Sequence, residues 1–460
     1  MKNKVYLLTI ILFQLSQIAA SQEIIRDSLY SKIMKEQRKI EVVLPDDYKP
    51  GSGMRYEVTY VTDGEWNTKI VAQLQRFAQI QFMPPNIIVS LPNNYVNGDN
   101  MRLRDLTPTH IQQNPVSGGA DNYIAFIKNE LIPYIEKKYP ARGFRTLQGG
   151  SLGGLFGMYT FFKEPDLFQS YMLNDPAFWW DNGLLMKMAA EKLPTLPNPG
   201  RTLLFTGREG EAFEGMGVKA MDSIFHANAP AALHWKMVKY TGETHNSTLF
   251  KTVYDGLKYT YEGYTTDSIE FHPMAGIVLK DKPFNLYCNN DVRTTLRYTT
   301  DGSEPTATSP AIGEGITSVT VPVQLRMKSI TARKEYEKNL TARYQVGNVL
   351  PDVKLFVKPK PGGLDSLPNH IRGYIEIKEE GYYVVGLMHP TGNAVISLSS
   401  QQLFDYDTKK GNGRDQTFIV PLQKGFYPLD IKYTGHAPEI MYIPAGANNP
   451  LPLSAASLYH

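Results

Sequence analysis

Gly149-Gly150-Ser151-Leu152-Gly153-Gly154 places a serine at the spacing G-x-S-x-G between a strand-like run and a helix-like run. A nucleophile carried on a sharp strand-to-helix turn needs this spacing, because the chain folds back so tightly that the residues two before and two after must lack bulk. Gly149 and Gly153 meet that demand. Upstream, Gly143-Phe144-Arg145-Thr146-Leu147-Gln148 reads as a strand; downstream, Leu155 to Phe162 reads as a buried helix. A glycine-rich turn that happens to hold a serine would share the same letters, and the flanking pattern separates the two.

The surroundings extend the pattern. From about residue 36 to 262, strand-like and helix-like segments alternate, which predicts a mostly parallel sheet covered on both faces. Expected strands are Arg38–Leu44, Tyr56–Thr62, Asn86–Leu91, Phe168–Leu173, Thr202–Thr206 and Leu233–Tyr240. Thr68 to Phe82 reads as a helix, and Asp121 to Tyr139 sets Ile124, Ile127, Leu131 and Ile135 at helical spacing. Ala177 to Gly200 reads as a crossover with a helix of its own. After Thr265 the pattern changes to short β-branched and aromatic runs with turns and no helical period. The expected architecture is an α/β-hydrolase, a doubly wound mostly parallel sheet, followed by two small all-β sandwich-like modules. The expected boundaries are 22–265 for the hydrolase domain, 266–349 and 350–460 for the modules, the last two separated at Leu350-Pro351.

At 460 residues the chain exceeds one ordinary core, in keeping with several domains. Its 48 basic and 45 acidic residues leave a net charge of +3 with no basic block, so nothing points to nucleic acid or an anionic membrane as partner. Lys2 and Lys4, an apolar run from Val5 to Ala20 and Ala19-Ala20-Ser21 read as a signal peptide over residues 1–21, with a membrane anchor as the alternative. Export to the periplasm or the exterior is expected, with no membrane span after cleavage. Cys288 is the only cysteine, which excludes an intramolecular disulfide and suits a bacterial exported protein.

A serine nucleophile needs a base, an acid that orients the base, and donors for the oxyanion. His245, in Thr241-Gly242-Glu243-Thr244-His245-Asn246-Ser247, follows the last expected strand, where a loop can return an imidazole to Ser151. The acid is expected after the strand ending at Thr206. Glu209 is preferred there, followed by Glu211, with Glu214 also competing and Asp175 after the preceding strand as a further option. A solvated acidic turn is the ordinary reading of that glutamate cluster. The backbone N–H of Leu152 is one expected oxyanion donor, and that of Glu65, in Thr62-Asp63-Gly64-Glu65-Trp66, is the other. No metal-ligand spacing occurs, and the chemistry needs neither metal nor cofactor.

These residues resemble the esterase D-type "putative esterase" family, which includes feruloyl and acetyl esterases, enterochelin esterases and mycolyltransferases. The resemblance covers about residues 36 to 262. It rests on Val42-Val43-Leu44-Pro45-Asp46-Asp47-Tyr48, Tyr60-Val61-Thr62-Asp63-Gly64, Arg102-Leu103-Arg104-Asp105-Leu106-Thr107-Pro108, the Gly149 to Gly154 elbow, Phe178-Trp179-Trp180 and His245-Asn246, in this order. It implies Ser151 as nucleophile, His245 as base, an acid on the Gly207 loop, and Glu65 and Leu152 at the oxyanion. Asn174-Asp175-Pro176 departs from the serine-rich turn that the family often shows. Arg104 and Asp105 read as an ion pair shaping the loop beside the site, with a substrate contact by Arg104 as the alternative. Trp179 and Trp180 read either as packing or as an aromatic wall for a phenolic or sugar group.

Tyr298-Thr299-Thr300-Asp301-Gly302-Ser303-Glu304-Pro305-Thr306 resembles the β-sandwich at the C-terminus of chitobiases. Gly373 to Ile377, Gly381-Tyr382-Tyr383 and Leu422 to Pro428 resemble protective-antigen-type carbohydrate-binding modules, although His389-Pro390-Thr391-Gly392-Asn393 replaces the expected paired aspartates. The hydrolase triad and these modules together imply an exported carboxylic ester hydrolase that removes feruloyl or acetyl groups from polysaccharide, its partner being a carbohydrate-linked ester. The alternatives are a siderophore trilactone esterase and, in another class, a non-catalytic glycan-binding surface protein.

Overall fold

The computed structural model describes residues 24–460 apart from 198–199, 290–292, 314, 322–323, 355–358, 410–415, 448 and 454–457, so the expected signal peptide lies outside the described residues. The chain forms two compact units, 1–262 and 263–460.

The first unit is built on eight strands: β1 (Ile24–Ser31), β2 (Glu36–Val43), β3 (Tyr56–Thr62), β4 (Asn86–Leu91), β5 (Ala141–Gly150), β6 (Ser170–Asn174), β7 (Thr202–Arg208) and β8 (His234–Tyr240). Their order is β1-β2-β4-β3-β5-β6-β7-β8. From β4 to β8 every neighbouring pair is parallel, whereas β2 pairs antiparallel with both β1 and β4. Every residue of β3, β4 and β6 is buried, as expected of central parallel strands that face helices on both sides, and their few polar residues, among them Glu57, Thr59 and Ser90, are buried with the rest. The helices that bear on the site are α1 (Gly64–Gln81), α2 (Leu152–Lys163) and α3 (Thr248–Thr260). The predicted helix before the elbow is present as Ala120–Phe126, Ile127–Leu131 and Ile132–Lys138, its middle turn a π-helix. One apolar cluster from Ile40 to Leu233 fills this unit, and each fully buried aliphatic side chain in it contributes about 1.5–3 kcal/mol. The antiparallel edge strand β1 was not legible in the sequence.

The second unit is all β among its described residues except for a short 3-10 turn at Lys334–Tyr336. It contains three-, nine- and six-stranded sheets. Strands from either side of the expected 349/350 boundary pair with each other: Ala275–Leu279 runs parallel to Gln416–Leu422 through Ala275 with Phe418 and Gly276 with Ile419. At Gly276 (φ +146°) a Cβ would stand 2.1 Å from the Ile419 carbonyl oxygen, so a side chain there would push the strands apart. Apolar packing crosses the same boundary, with Val384 and Ile419 joining Phe284, Leu286 and Leu325 in one cluster. Among the described residues no helix is long and apolar enough to cross a membrane.

Candidate active site

β5 runs into Ser151, whose φ of 53° and ψ of −114° lie outside the regions that a side-chain-bearing residue favours. Such a backbone costs on the order of 1–3 kcal/mol and persists only where the surroundings over-determine it. They do so here. The Ser151 N–H donates to the Asn174 carbonyl at 3.0 Å, and its own carbonyl accepts from Leu155 at 2.9 Å and Ala177 at 3.0 Å. A Cβ on Gly149 would stand 2.3 Å from the Gly153 oxygen, and one on Gly153 would stand 2.4 Å from Thr62 Oγ1. The two glycines of the motif are therefore required by the approach of β5 to the first turn of α2 and of that turn to β3.

His245 sits between β8 and α3, as expected, and its carbonyl accepts the Thr248 hydroxyl at 2.9 Å where α3 begins. Its Nδ1 lies 2.6 Å from Asp175 Oδ2. With Nδ1–H donating to the carboxylate, Nε2 is left as the proton acceptor.

Asp175 is the first residue beyond β6, left-handed at φ 41° and without exposed surface. The carboxylate in contact with His245 is therefore that of Asp175 and not of the preferred Glu209. Glu209 prolongs the pairing of β7 with β8, its N–H donating to the Tyr240 carbonyl at 3.0 Å, while its Oε1 accepts the Gly242 N–H at 2.8 Å. It closes the turn that leads to His245 rather than touching the imidazole. Glu214 pairs with Lys219 at 2.5 Å, and Glu211 opens the short helix Glu211–Gly215 on the exposed surface. The strand beside the elbow strand supplies the carboxylate, one strand earlier than the glutamate loop. Its sequence signal was the Asn174-Asp175-Pro176 turn that follows the run Tyr171-Met172-Leu173.

The two expected oxyanion donors stand at helix starts. Leu152 is the first residue of α2 and Glu65 the second of α1, where backbone N–H groups have no acceptor within the helix. Asp63, which precedes α1, is left-handed at φ 53° and buried. Arg102 donates to both oxygens of its carboxylate, Nε to Oδ1 at 2.5 Å and Nη2 to Oδ2 at 2.8 Å, and Asn93 adds a bond at 2.9 Å. Arg102 also lies over the Trp66 ring, 5.6 Å from its centroid. Sequence reasoning missed Arg102. Its signal was the Arg102-Leu103-Arg104-Asp105 segment, in which Arg104 beside Asp105 reads as the paired arginine.

Arg104 is held away from a substrate role. It makes two bonds to Glu36, at 3.0 and 2.7 Å, and one to Asp105 at 2.8 Å. Burial alone would raise the Glu36 carboxyl, but hydrogen bonds from Arg104 and Arg38 outweigh it and hold the group at about 2. Trp180 is 1% exposed and its Nε1–H donates to Thr109 Oγ1 at 3.1 Å, the arrangement of the packing alternative. Trp179, 48% exposed, is the member of the pair that faces outward. Among the described residues no three His, Cys, Asp or Glu side chains converge on a point that could hold a metal ion.

Residues 31–202 match the family described as "Putative esterase". This match lies within the N-terminal unit. Relatives agree with it: the chain is 26% identical over 251 residues to the siderophore triacetylfusarinine C esterase of Aspergillus fumigatus, a match spanning 48% of this chain and 86% of that protein. A shorter match, 38% over 74 residues, links it to the ferri-bacillibactin esterase BesA of Bacillus subtilis and spans 16% of this chain and 26% of BesA. Among solved structures, an IroE-like serine hydrolase from Shewanella oneidensis aligns with a TM-score of 0.47 at 28% identity, over 53% of this chain and 82% of that one.

Proposed function

We propose that the protein hydrolyses esters through Ser151, His245 and Asp175, and that its substrate is a siderophore-type ester. The observation that carries the catalytic reading is the 2.6 Å bond from His245 to a fully buried carboxylate at the end of the strand next to the elbow. In this reading Ser151 Oγ attacks the ester carbonyl carbon while His245 takes the hydroxyl proton. The backbone N–H groups of Leu152 and Glu65 face the negative charge that develops on the carbonyl oxygen. Collapse breaks the ester C–O bond, and His245 returns the proton to the departing alkoxide. Water then repeats the sequence on the acyl-serine and frees the acid and the enzyme. Asp175 keeps the imidazole in the tautomer that can accept.

The substrate class draws its support from relatives named as siderophore esterases, which favour this reading over the release of feruloyl or acetyl groups from polysaccharide. Exposed aromatic surface from Trp66 and Trp179, 58% and 48% exposed, suits a bulky planar ligand. A purely glycan-binding role would leave the His245–Asp175 pairing without a use. Export by the leader at residues 1–21 belongs to the same proposal and is read by N-terminal sequencing of the mature protein.

The test is hydrolysis of a p-nitrophenyl ester, a ferric trilactone, methyl ferulate and acetylated xylan by wild type and Ser151→Ala. Loss of all hydrolysis in Ser151→Ala and preference for the trilactone support the proposal. Equal rates in the two proteins overturn the catalytic reading, and preference for ferulate or xylan overturns the substrate class.

A further inference from the structure

Asp175 Oδ2 accepts a second bond, from Arg208 Nε at 2.5 Å, in addition to the 2.6 Å contact with His245. We propose that Arg208 is a positioning residue for the catalytic carboxylate, holding Asp175 so that its Oδ2 stays on His245; this rests on the triad assigned above.

The geometry leaves Asp175 few other supports. The residue has no exposed surface, and its Oδ1 makes no hydrogen bond. Taking a carboxylate out of water is unfavourable by several kcal/mol unless charge and hydrogen bonds replace the lost hydration. All the side-chain compensation converges on one oxygen. Of its two donors, an imidazole carries a charge only when protonated, whereas a guanidinium is charged under all ordinary conditions. Arg208 is the one permanent cation paired with Asp175 among the described residues.

Arg208 is itself well anchored. It is the last residue of β7, opposite Tyr240 in β8, the strand whose following loop carries His245. One stretch of parallel pairing thereby sets both donors relative to the carboxylate between them. With the guanidinium removed, the bond to His245 is the one side-chain hydrogen bond left on the carboxylate, and the Cβ–Cγ torsion is no longer fixed against swinging Oδ2 away from the imidazole. A displacement of this kind, about 1 Å, is enough to cost roughly 100-fold in rate.

The role is specific enough to separate from structural support and from substrate contact. Arg208→Ala and Arg208→Gln would be assayed on a short p-nitrophenyl ester, with folding followed by circular dichroism. Both are expected to lower kcat roughly 10- to 100-fold with KM within about twofold of wild type, and guanidinium chloride at millimolar concentration should restore part of the kcat of Arg208→Ala. In an Asp175→Asn background the same substitutions should change kcat less than about twofold, since residues acting as one unit lose their effects together. Three results overturn the proposal: an unchanged kcat, a rise in KM that accounts for the loss, or an equal loss in the Asp175→Asn background. If Arg208→Ala fails to fold, Arg208→Gln and the rescue experiment carry the test. An Asp175→Asn variant as fast as wild type would instead defeat the triad itself.

Discussion

At the scale of single residues, the site turns on which carboxylate reaches His245. Asp175→Asn is expected to lower kcat by roughly 1,000- to 10,000-fold on short esters, the range seen when an orienting acid loses its charge, whereas Glu209→Gln, whose partner is the Gly242 N–H, should stay within about threefold of wild type. Steady-state kinetics on the two variants separate them. Gly149→Ala tests the elbow: its Cβ would meet the Gly153 carbonyl oxygen at 2.3 Å, and backbone must move to admit it. A loss of about 2–4 kcal/mol in urea denaturation is the expected outcome. Ser151 and the glycines stood out in the sequence because a nucleophile elbow demands fixed spacing along the chain, and His245 because it follows the last strand of the sheet. Asp175 was visible only as one option among several, because it meets His245 across 70 residues of chain, a distance that local pattern does not encode.

At the scale of elements, the start of α1 is held from outside the helix. Asp63 adopts a left-handed backbone that glycine would take more readily, and Arg102, Asn93 and the burial of its carboxylate hold it there. Arg102→Ala should lower kcat more than it changes KM, because Glu65 would lose its fixed direction toward the oxyanion. The neighbouring cluster of Glu36, Arg38, Arg104 and Asp105 ties β2 to the helical turn Arg102–Leu106. Because Glu36 sits at about 2 in the folded protein against an ordinary 4.5, its contribution to stability is complete above about pH 4.5 and is lost as the pH falls toward 2. Urea melts at pH 7, 4 and 2.5 should show this loss in wild type and a shallower one in Glu36→Gln. The strands and helices around the sheet followed from periodicity, while the edge strand β1 did not: only part of its length is buried, and its antiparallel partner β2 rather than its own pattern sets its register.

At the scale of the whole molecule, the chemistry and the family match reside in one unit. Ser151, His245, Asp175, Arg102 and Arg208 all lie before residue 263, within a unit that has its own apolar core. A fragment ending at residue 262 should therefore retain kcat/KM on a short ester within about threefold of the full chain. The second unit behaves differently under truncation: a fragment of residues 263–349 would strip Ala275–Leu279 of its Gln416–Leu422 partner and leave an open edge, so it should aggregate where residues 263–460 stay monodisperse in gel filtration. The β-rich character of this region was plain from composition, but the pairing of Gly276 with Ile419 joins segments more than a hundred residues apart, and short similar strands carry no sequence mark of their partners.

The central claim is that Ser151 is a nucleophile driven by His245 with Asp175 behind it. The most direct test is the rate at which a fluorophosphonate attaches to the protein, followed by intact mass and peptide mapping. The account predicts one adduct, on Ser151, forming at least about 100-fold more slowly in Asp175→Asn and at the wild-type rate in Glu209→Gln. An adduct on another residue, or slowing in Glu209→Gln but not in Asp175→Asn, would contradict it.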